Sequence, residues 1–292
     1  MKSGKMFVLL ACLLSLGICV VAHAADEKGE EVSPVGKMQT LASSNRSGAD
    51  WGYALGLKTW MNEWSLPMKL GSYNTDGSAI LQFESDSEFT FIPTFMVRYR
   101  KFFIGGSYMP KTEYEFSMQS VPSSRYNIYG REIKEDLNID VSAERKEWDL
   151  NLGYMITPNI ALSIGYKSLS RSYDAQASFS AAGFEDEDID IAPLDESLSA
   201  PILGLSAVFP IKGKLNLYSN FAYGFINGDA DGYYYLGELG INYVFPLTQK
   251  MVSAVILNLG YRFQRVDLDY NYPAGAQNDI TSGFNLGVTA PF

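Results

Sequence analysis

From residue 51 onward, apolar and polar side chains alternate with a period of two, not with the 3.6-residue period of a helix. Over residues 144–156 the apolar face consists of Trp148, Leu150, Leu152, Tyr154 and Ile156. The segment that begins at Ile160 repeats the alternation, and only three residues, 157–159, separate the two segments. Two alternating runs joined by so short a connection predict a β-hairpin with a tight turn.

The same pattern predicts ten strands. They cover about 51–64, 88–99, 102–116, 144–156, 160–168, 199–209, 215–225, 233–245, 251–265 and 280–292. The connections alternate between short ones (100–101, 157–159, 210–214, 246–250) and longer polar ones (65–87, 117–143, 172–198, 226–232, 266–279). Short turns at one end and long loops at the other are typical of a bacterial outer-membrane barrel.

The two faces of these strands differ in chemistry. One face carries large apolar and aromatic side chains, and the other carries mostly Gly, Ala, Ser, Asn and Thr. Small polar residues make a poor water-facing surface, which usually carries many charges, but they suit a crowded barrel interior. The apolar face is therefore expected to contact lipid. We predict an all-β fold, a closed antiparallel up-and-down transmembrane β-barrel of about ten strands.

Isolated charges on the small-residue face are candidates for the lining of the barrel lumen. They are Lys58, Arg98, Glu147, Asp149, Lys167, Glu238 and Arg262. They could line a narrow channel, or they could form a salt-bridge network that fills the lumen. Eight-stranded barrels are essentially filled and sixteen-stranded barrels leave an aqueous pore, so ten strands favour the filled lumen.

Tyrosine and tryptophan residues concentrate near the predicted strand ends. The set is Trp51, Trp60, Trp64, Tyr99, Trp148, Tyr223, Tyr233, Tyr235 and Tyr243, with Phe245 beside them. Rings with a polar edge are favoured at the headgroup levels of a membrane. We therefore expect these residues to form the aromatic girdles of the barrel.

Residues 1–24 have the pattern of a secretory signal peptide. Two lysines precede an apolar run over residues 6–21, and small residues surround a cleavage position near Ala24. The run is shorter than the roughly 20 residues of a spanning helix. We expect cleavage there, a flexible periplasmic segment over 25–50, and the barrel over 51–292.

Removal of this leader changes the chemistry of the chain. Cys12, Cys19 and His23 are its only cysteines and histidine, so thiolate, disulfide and imidazole chemistry would leave with them. The formal net charge would fall from −10 to −12, because Lys2 and Lys5 leave as well. Nucleic acid phosphates repel so acidic a chain. We expect neither nucleic acid binding nor a cofactor.

The last strand carries a further pattern. Phe284, Leu286 and Val288 alternate along it, and Phe292 ends it with an aromatic side chain. Together with the leader and the strands over 51–292, this strand resembles those of bacterial outer-membrane β-barrel proteins. The resemblance implies an outer-membrane location, contact with membrane lipid and lipopolysaccharide, and recognition of these four residues by the barrel-assembly machinery. Pro291 is expected to lie where its missing N–H faces no partner.

Ten strands are also similar to the omptin surface proteases, which depend on acidic residues and a histidine. The catalytic arrangement of the omptins cannot be assigned to this chain, because residues 25–292 contain no histidine. Outer-membrane phospholipases and lipid A deacylases with a Ser–His arrangement fail for the same reason. We therefore predict a protein that is not an enzyme.

The densest charge feature is the acidic run over residues 184–196. Glu185, Asp186, Glu187, Asp188 and Asp190 supply oxygen ligands that suit Ca²⁺. The run lacks the ligand spacing and the glycine of an EF-hand loop. A solvated surface loop is favoured, because blocks of like charge are commonly exposed.

The leading functional hypothesis is a non-enzymatic outer-membrane barrel that acts through its extracellular loops in surface binding or envelope integrity. One alternative is a narrow porin-like channel for small or ionic solutes. Another is a soluble secreted β-barrel that binds a lipid-like ligand. The sequence contains no signal for an oligomeric state.

Overall fold

The computed structural model of the chain describes residues 50–70, 79–122, 126–128, 131–133, 135–181, 187–247, 251–269 and 277–292. The predicted signal peptide and nearly all of the predicted periplasmic segment lie outside these residues. No helix within the described ranges is long and apolar enough to cross a membrane.

The described residues form thirteen strands. They are β1 (Trp51–Leu70), β2 (Ala79–Glu84), β3 (Glu88–Tyr99), β4 (Phe102–Pro122), β5 (Tyr126–Ile128), β6 (Arg131–Ile133), β7 (Glu135–Thr157), β8 (Ile160–Ala181), β9 (Glu187–Lys212), β10 (Leu215–Gly228), β11 (Asp231–Pro246), β12 (Ala254–Asp269) and β13 (Gln277–Pro291). The bounds of β3 match those predicted from the alternation.

Ten of these strands close into a barrel. Each pairs antiparallel with its neighbours in the order β1, β3, β4, β7, β8, β9, β10, β11, β12 and β13, and β13 pairs back onto β1. The closing pair runs in register from Ala54 opposite Pro291 to Ser65 opposite Ile280. β2 pairs with the far end of β1, and β5 and β6 form a separate two-stranded ladder. The predicted ten-stranded, all-β, up-and-down barrel is confirmed.

Tight connections occupy one end of the barrel, which we call the periplasmic end because short turns face the periplasm in such barrels. Arg100 joins β3 to β4 with a φ of 54°, and Gly213 joins β9 to β10 with a φ of 58°. The Arg100 guanidinium donates to the Asp50 carboxylate at 3.0 Å. This hydrogen bond holds the pKa of Asp50 below its ordinary value.

The opposite end, which we call the outer end, differs from prediction. The segments 117–143 and 172–198 were expected to be long loops, and for their described residues that expectation is wrong. β4 continues to Pro122, β7 begins at Glu135, β8 continues to Ala181 and β9 begins at Glu187. Strands of 21 to 26 residues are far longer than the roughly 9–11 that a membrane crossing needs, so the barrel extends beyond the bilayer.

The chemistry of the two strand faces is exchanged where the strands leave the membrane, and we call this exchange the phase change. Along β8, the outward side chains change from Leu162, Ile164 and Tyr166 to Ser168, Ser170 and Ser172. Inward, Ala161, Ser163 and Gly165 give way to Lys167, Leu169, Arg171 and Tyr173. The embedded part is therefore apolar outside, whereas the projecting part is polar outside and largely apolar inside, like a water-soluble barrel.

An apolar belt surrounds the embedded part. Its exposed side chains include Leu55, Leu57, Phe91, Ile104, Leu150, Leu152, Ile164, Leu203, Leu239, Ile241, Leu259 and Leu286. Aromatic pairs flank it, with Trp51 against Tyr99 (4.7 Å between ring centroids) near the periplasmic turns and Trp148 against Tyr166 (5.5 Å) near the phase change. A charge at the lipid midplane would cost about 2–4 kcal/mol. The belt therefore matches a transmembrane barrel.

Two tryptophans do not belong to these girdles. Trp60 and Trp64 are fully buried inside the barrel, so the prediction that they face the headgroups is wrong. Both occupy the same inward phase of β1 as Lys58 and Asn62.

The last strand lies as the alternation predicts. Phe284, Leu286 and Val288 are exposed on the outer surface, and Asn285 is buried inside. The Pro291 carbonyl accepts from the Ser253 N–H at 3.0 Å, and the Phe292 N–H donates to Tyr53. Because the N–H and C=O of one strand residue point the same way, the missing N–H of Pro291 falls on the β12 side. That position lies beyond the last β12–β13 pair, Ile256 with Thr289.

Gly283 lies in the closing pair, opposite Asn62. A Cβ at this position would overlap the Met61 carbonyl oxygen of the neighbouring strand. We expect Gly283→Ala to lower the free energy of unfolding by about 1–3 kcal/mol, the usual cost of overpacking. Urea unfolding in detergent, followed by heat-modifiable gel migration, measures this change.

Gly237→Ala is the matched control. A Cβ there meets nothing closer than the Phe221 ring at 3.8 Å, so the change should stay within about 0.5 kcal/mol. Equal effects of the two substitutions would contradict the tight closing pair.

Candidate functional site

The lumen brings together the charges that the alternation assigns to the inner face. The seven candidate residues, Lys58, Arg98, Glu147, Asp149, Lys167, Glu238 and Arg262, all occupy inward positions of their strands. Glu147, Lys167, Glu238 and Arg262 are each less than 10% exposed. The other three are partly exposed.

Glu147 is the centre of a first network at the level of the phase change. Its carboxylate accepts from Arg145 Nε at 2.6 Å and from Lys167 Nζ at 2.5 Å. It also accepts from Gln264 Nε2 at 2.8 Å. Because β7 and β12 lie five strands apart in either direction around the barrel, the Glu147–Gln264 bond spans the lumen.

Asp279 is the centre of a second network closer to the outer end. Arg171 Nη2 lies 2.5 Å from its Oδ2, and the Trp64 indole N–H donates to its Oδ1. β8 and β13 are also five strands apart in either direction, so the Arg171–Asp279 pair crosses the full width of the barrel. Arg145 strengthens the bridge through a hydrogen bond to Thr281 on β13.

Aromatic rings fill the space around the second network. The Trp64 ring lies 5.1 Å from Tyr114, 5.5 Å from Phe116 and 5.8 Å from Tyr173, measured between ring centroids. The guanidinium groups of Arg145 and Arg171 lie 5.3 and 5.7 Å from the same ring. We call these six residues together with Asp279 the lumen plug. They close the projecting half of the lumen with side chains.

A third group of charges lies nearer the periplasmic end. Lys58 Nζ pairs with Glu238 Oε1 at 2.8 Å. The Tyr218 hydroxyl lies 3.0 Å from the same carboxylate and 3.2 Å from Asn285 Oδ1. Below the plug, Lys58 and Glu238 border a cavity of about 330 Å³ whose wall also contains small residues such as Gly56, Gly105 and Gly204.

Four charged residues in or beside the plug were missed by the sequence reasoning, and one of them, Glu196, lies 3.9 Å from Arg171. Arg145, Arg171, Glu196 and Asp279 are all almost fully buried inside the barrel. Glu196 and Asp279 were missed because their segments were taken for loops. The phase that places Lys167 inside also places Arg171 inside, so extension of the alternation past residue 168 would have found it.

The acidic run begins a strand instead of forming a loop throughout. Glu185 and Asp186 lie outside the described residues, while Glu187, Asp188 and Asp190 belong to β9, which pairs with β8. The expectation of a surface loop is therefore wrong from Glu187 onward. In the part of the chain that the structure describes, no group of three or more Asp, Glu, His or Cys residues could hold a metal ion.

Comparison with known proteins supports the fold. No family model and no curated protein matches the chain. Among solved structures, the outer membrane protease OmpT of Escherichia coli is similar at a TM-score of 0.50 and 13% identity, over 84% of this chain and 98% of that one. The chain has the fold of a bacterial outer-membrane β-barrel. At this identity the likeness shows the fold alone and transfers no activity.

Two further barrels are more distant. OprG of Pseudomonas aeruginosa matches with a TM-score of 0.34 and 11% identity, over 84% of this chain and 96% of that one. Ail of Yersinia pestis matches with a TM-score of 0.31 and 9% identity, over 84% of this chain and 100% of that one.

Removal of the Glu147 charge tests the first network. Glu147→Gln would leave Arg145 and Lys167 buried without their shared carboxylate. Breaking a buried ion pair in this way typically costs about 3–5 kcal/mol. We expect a loss of that size in the free energy of unfolding, measured by urea denaturation in detergent.

Glu144→Gln on the same strand is the control. Glu144 pairs with Lys111 on the outer surface, where both side chains are more than a third exposed, and such pairs contribute at most about 1 kcal/mol. Similar losses for the two variants would show that the interior network contributes little to stability.

Proposed function

We propose that this protein is a non-enzymatic outer-membrane barrel, closed to solutes, that acts through its projecting outer end in surface binding. Contact with outer-membrane lipid and lipopolysaccharide, and recognition of Phe284, Leu286, Val288 and Phe292 by the barrel-assembly machinery, belong to the same proposal.

The lumen plug carries this proposal. Arg171 and Asp279 meet across the full width of the barrel at 2.5 Å, and Trp64 is fully buried beside them. Trp60, four residues earlier on β1, is fully buried against Arg262. A conducting pore needs a continuous aqueous path, which paired charges and packed rings obstruct. The plug therefore favours a filled lumen over the narrow porin-like channel, with the seven inward charges acting mainly in structure.

The projecting end offers a surface with one dominant charge. Its outward acidic side chains are Glu63, Glu84, Asp86, Glu113, Glu115, Asp140, Glu144, Asp174, Asp195, Asp229, Asp231, Asp267 and Asp269, and we call them the acidic collar. The basic side chains on the same described surface are Lys111, Lys146 and Arg265. Surfaces of one sign attract partners of the other sign and speed their association, so we propose a cationic partner.

The remaining hypotheses have weaker support. A soluble lipid-binding barrel would have to expose the apolar belt, including Leu55, Ile164 and Leu203 at 60%, 62% and 59%, to water. An enzyme of the Ser–His or omptin type needs a histidine, and residues 25–292 have none.

Planar-bilayer recording tests the closed lumen. The unmodified protein should give no single-channel steps. The double variant Trp60→Ala and Trp64→Ala, which removes the two largest buried rings of β1, should give steps. The double variant Leu55→Ala and Leu57→Ala changes only the lipid face of the same strand and should stay silent. Reproducible steps from the unmodified protein would instead favour the channel.

Binding of fluorescent decalysine to the protein in nanodiscs of zwitterionic lipid tests the acidic collar. Binding should weaken with added salt, because exposed charges are screened over about 10 Å at 0.1 M. The variant Glu113→Gln, Glu115→Gln, Asp140→Asn and Asp174→Asn should bind about tenfold more weakly or worse.

The control replaces three outward serines of the neighbouring strands β7 and β8 with alanine, at Ser142, Ser168 and Ser170. It leaves the charge unchanged and should bind decalysine normally. Equal binding by the neutralised and unmodified proteins would reject the collar as the binding surface.

A further inference from the structure

Below the lumen plug, the cavity of about 330 Å³ combines small wall residues with charged side chains. Gly56, Gly105, Gly204 and Ser206 are among the small residues that line it. The volume lies at the lower end of the range of roughly 300–1,000 Å³ for small-molecule sites. The cavity is therefore large enough for a compact organic molecule.

Arg262 is the unusual charge in the wall of this cavity. It is 7% exposed, and its Nη2 donates to the neutral amide oxygen of Gln264 at 3.2 Å. Its guanidinium lies 4.7 Å from the centre of the Trp60 ring. Its Nε has no hydrogen-bond partner, and among the described residues no carboxylate lies within ion-pair distance of it.

The other charges of the cavity wall already have partners. Lys58 pairs with Glu238, and Lys167 pairs with Glu147. The Asp149 carboxylate accepts from Ser107 and, at 2.8 Å, from Asn151 Nδ2. Lys58 and Lys167 are therefore each paired with a carboxylate. Arg262 has no carboxylate at ion-pair distance among the described residues, although Glu238 lies opposite it on the neighbouring strand β11.

A buried guanidinium whose hydrogen-bond donors are not all satisfied is costly. A ligand of opposite charge would remove that cost, and the fork of N–H donors on a guanidinium matches a carboxylate geometrically. We propose that the cavity binds a small monocarboxylate, held by Arg262 with its uncharged part among the small residues of the opposite walls.

Access and size limit what the ligand can be. Lys58 keeps 22% of its side chain exposed although it lies in the lumen, so the space around it is large enough for water. The plug obstructs the route from the outer end, so the proposal requires entry from the periplasmic end. The cavity contains no residue of the acidic collar. Carboxylate binding in the cavity and cationic binding at the collar can therefore be tested separately.

Thermal unfolding of the full barrel in detergent, with added sodium acetate or sodium benzoate, tests the proposal. Each carboxylate should raise the Tm in a saturable way, because a ligand that binds only the folded state stabilises it. Acetamide, benzamide and sodium chloride at matched concentrations should not. Equal stabilisation by chloride would overturn the assignment to carboxylates.

Arg262→Gln should weaken carboxylate binding by about tenfold or more, the effect of losing a charge-assisted hydrogen bond of about 1.5–3 kcal/mol. Arg265→Gln is the control, because Arg265 lies on the same strand but pairs with Asp267 on the outer surface. Ala222→Leu keeps Arg262 and fills the cavity, so it should also abolish binding. Carboxylate binding that persists in Arg262→Gln or Ala222→Leu, or that is lost in Arg265→Gln, would overturn the proposal.

Discussion

The absence of hydrogen-bonding partners in hydrocarbon is the constraint on which the structure depends. Each unsatisfied backbone N–H or C=O in the bilayer core costs several kcal/mol, so a sheet can cross the membrane only if it has no free edge. The β1–β13 pairing removes the last edge. Pro291, the only proline of β13, stands past the last β12–β13 pair, where no strand hydrogen bond needs its missing N–H. Closure also fixes which side chains share an interior, and every contact across the lumen follows from it.

Once the barrel is closed, its interior must be filled or hydrated. Here the two halves do this differently. The projecting half is packed with rings and with ion pairs that join opposite walls, such as Arg171 with Asp279. The embedded half has several small residues in its lining and keeps a cavity. Loss of either member of a buried ion pair is strongly destabilising. Because Arg171 and Asp279 lie on strands that share no backbone hydrogen bonds, their pair also connects opposite walls of the barrel.

Much of the fold could be predicted from the sequence, because lipid on one side forces a strict alternation. The bounds of β3 and the inward phase of Glu147, Lys167 and Glu238 follow from that rule alone. The rule applies only to residues that contact lipid. Beyond residue 168, β8 has no apolar outer face, so the alternation did not predict a strand there. The prediction for Trp60 and Trp64 was wrong for another reason. It relied on the preference of tryptophan for membrane interfaces, although both residues lie on the inward face of β1. The pairing of Arg171 with Asp279 depends on the stagger of strands around a closed barrel, which no local pattern encodes.

The change of phase along the strands also fixes the depth at which the barrel rests in the membrane. Directly above the belt, the outward side chains on several strands include charges: Glu63 on β1, Lys111 on β4, Lys146 on β7 and Arg265 on β12. Sinking would draw this ring into hydrocarbon, at a cost that rises with depth. Rising would strip lipid from Trp148, Tyr166 and the leucines below them. Both displacements are opposed, so the protein holds its outer end at a set height above the bilayer.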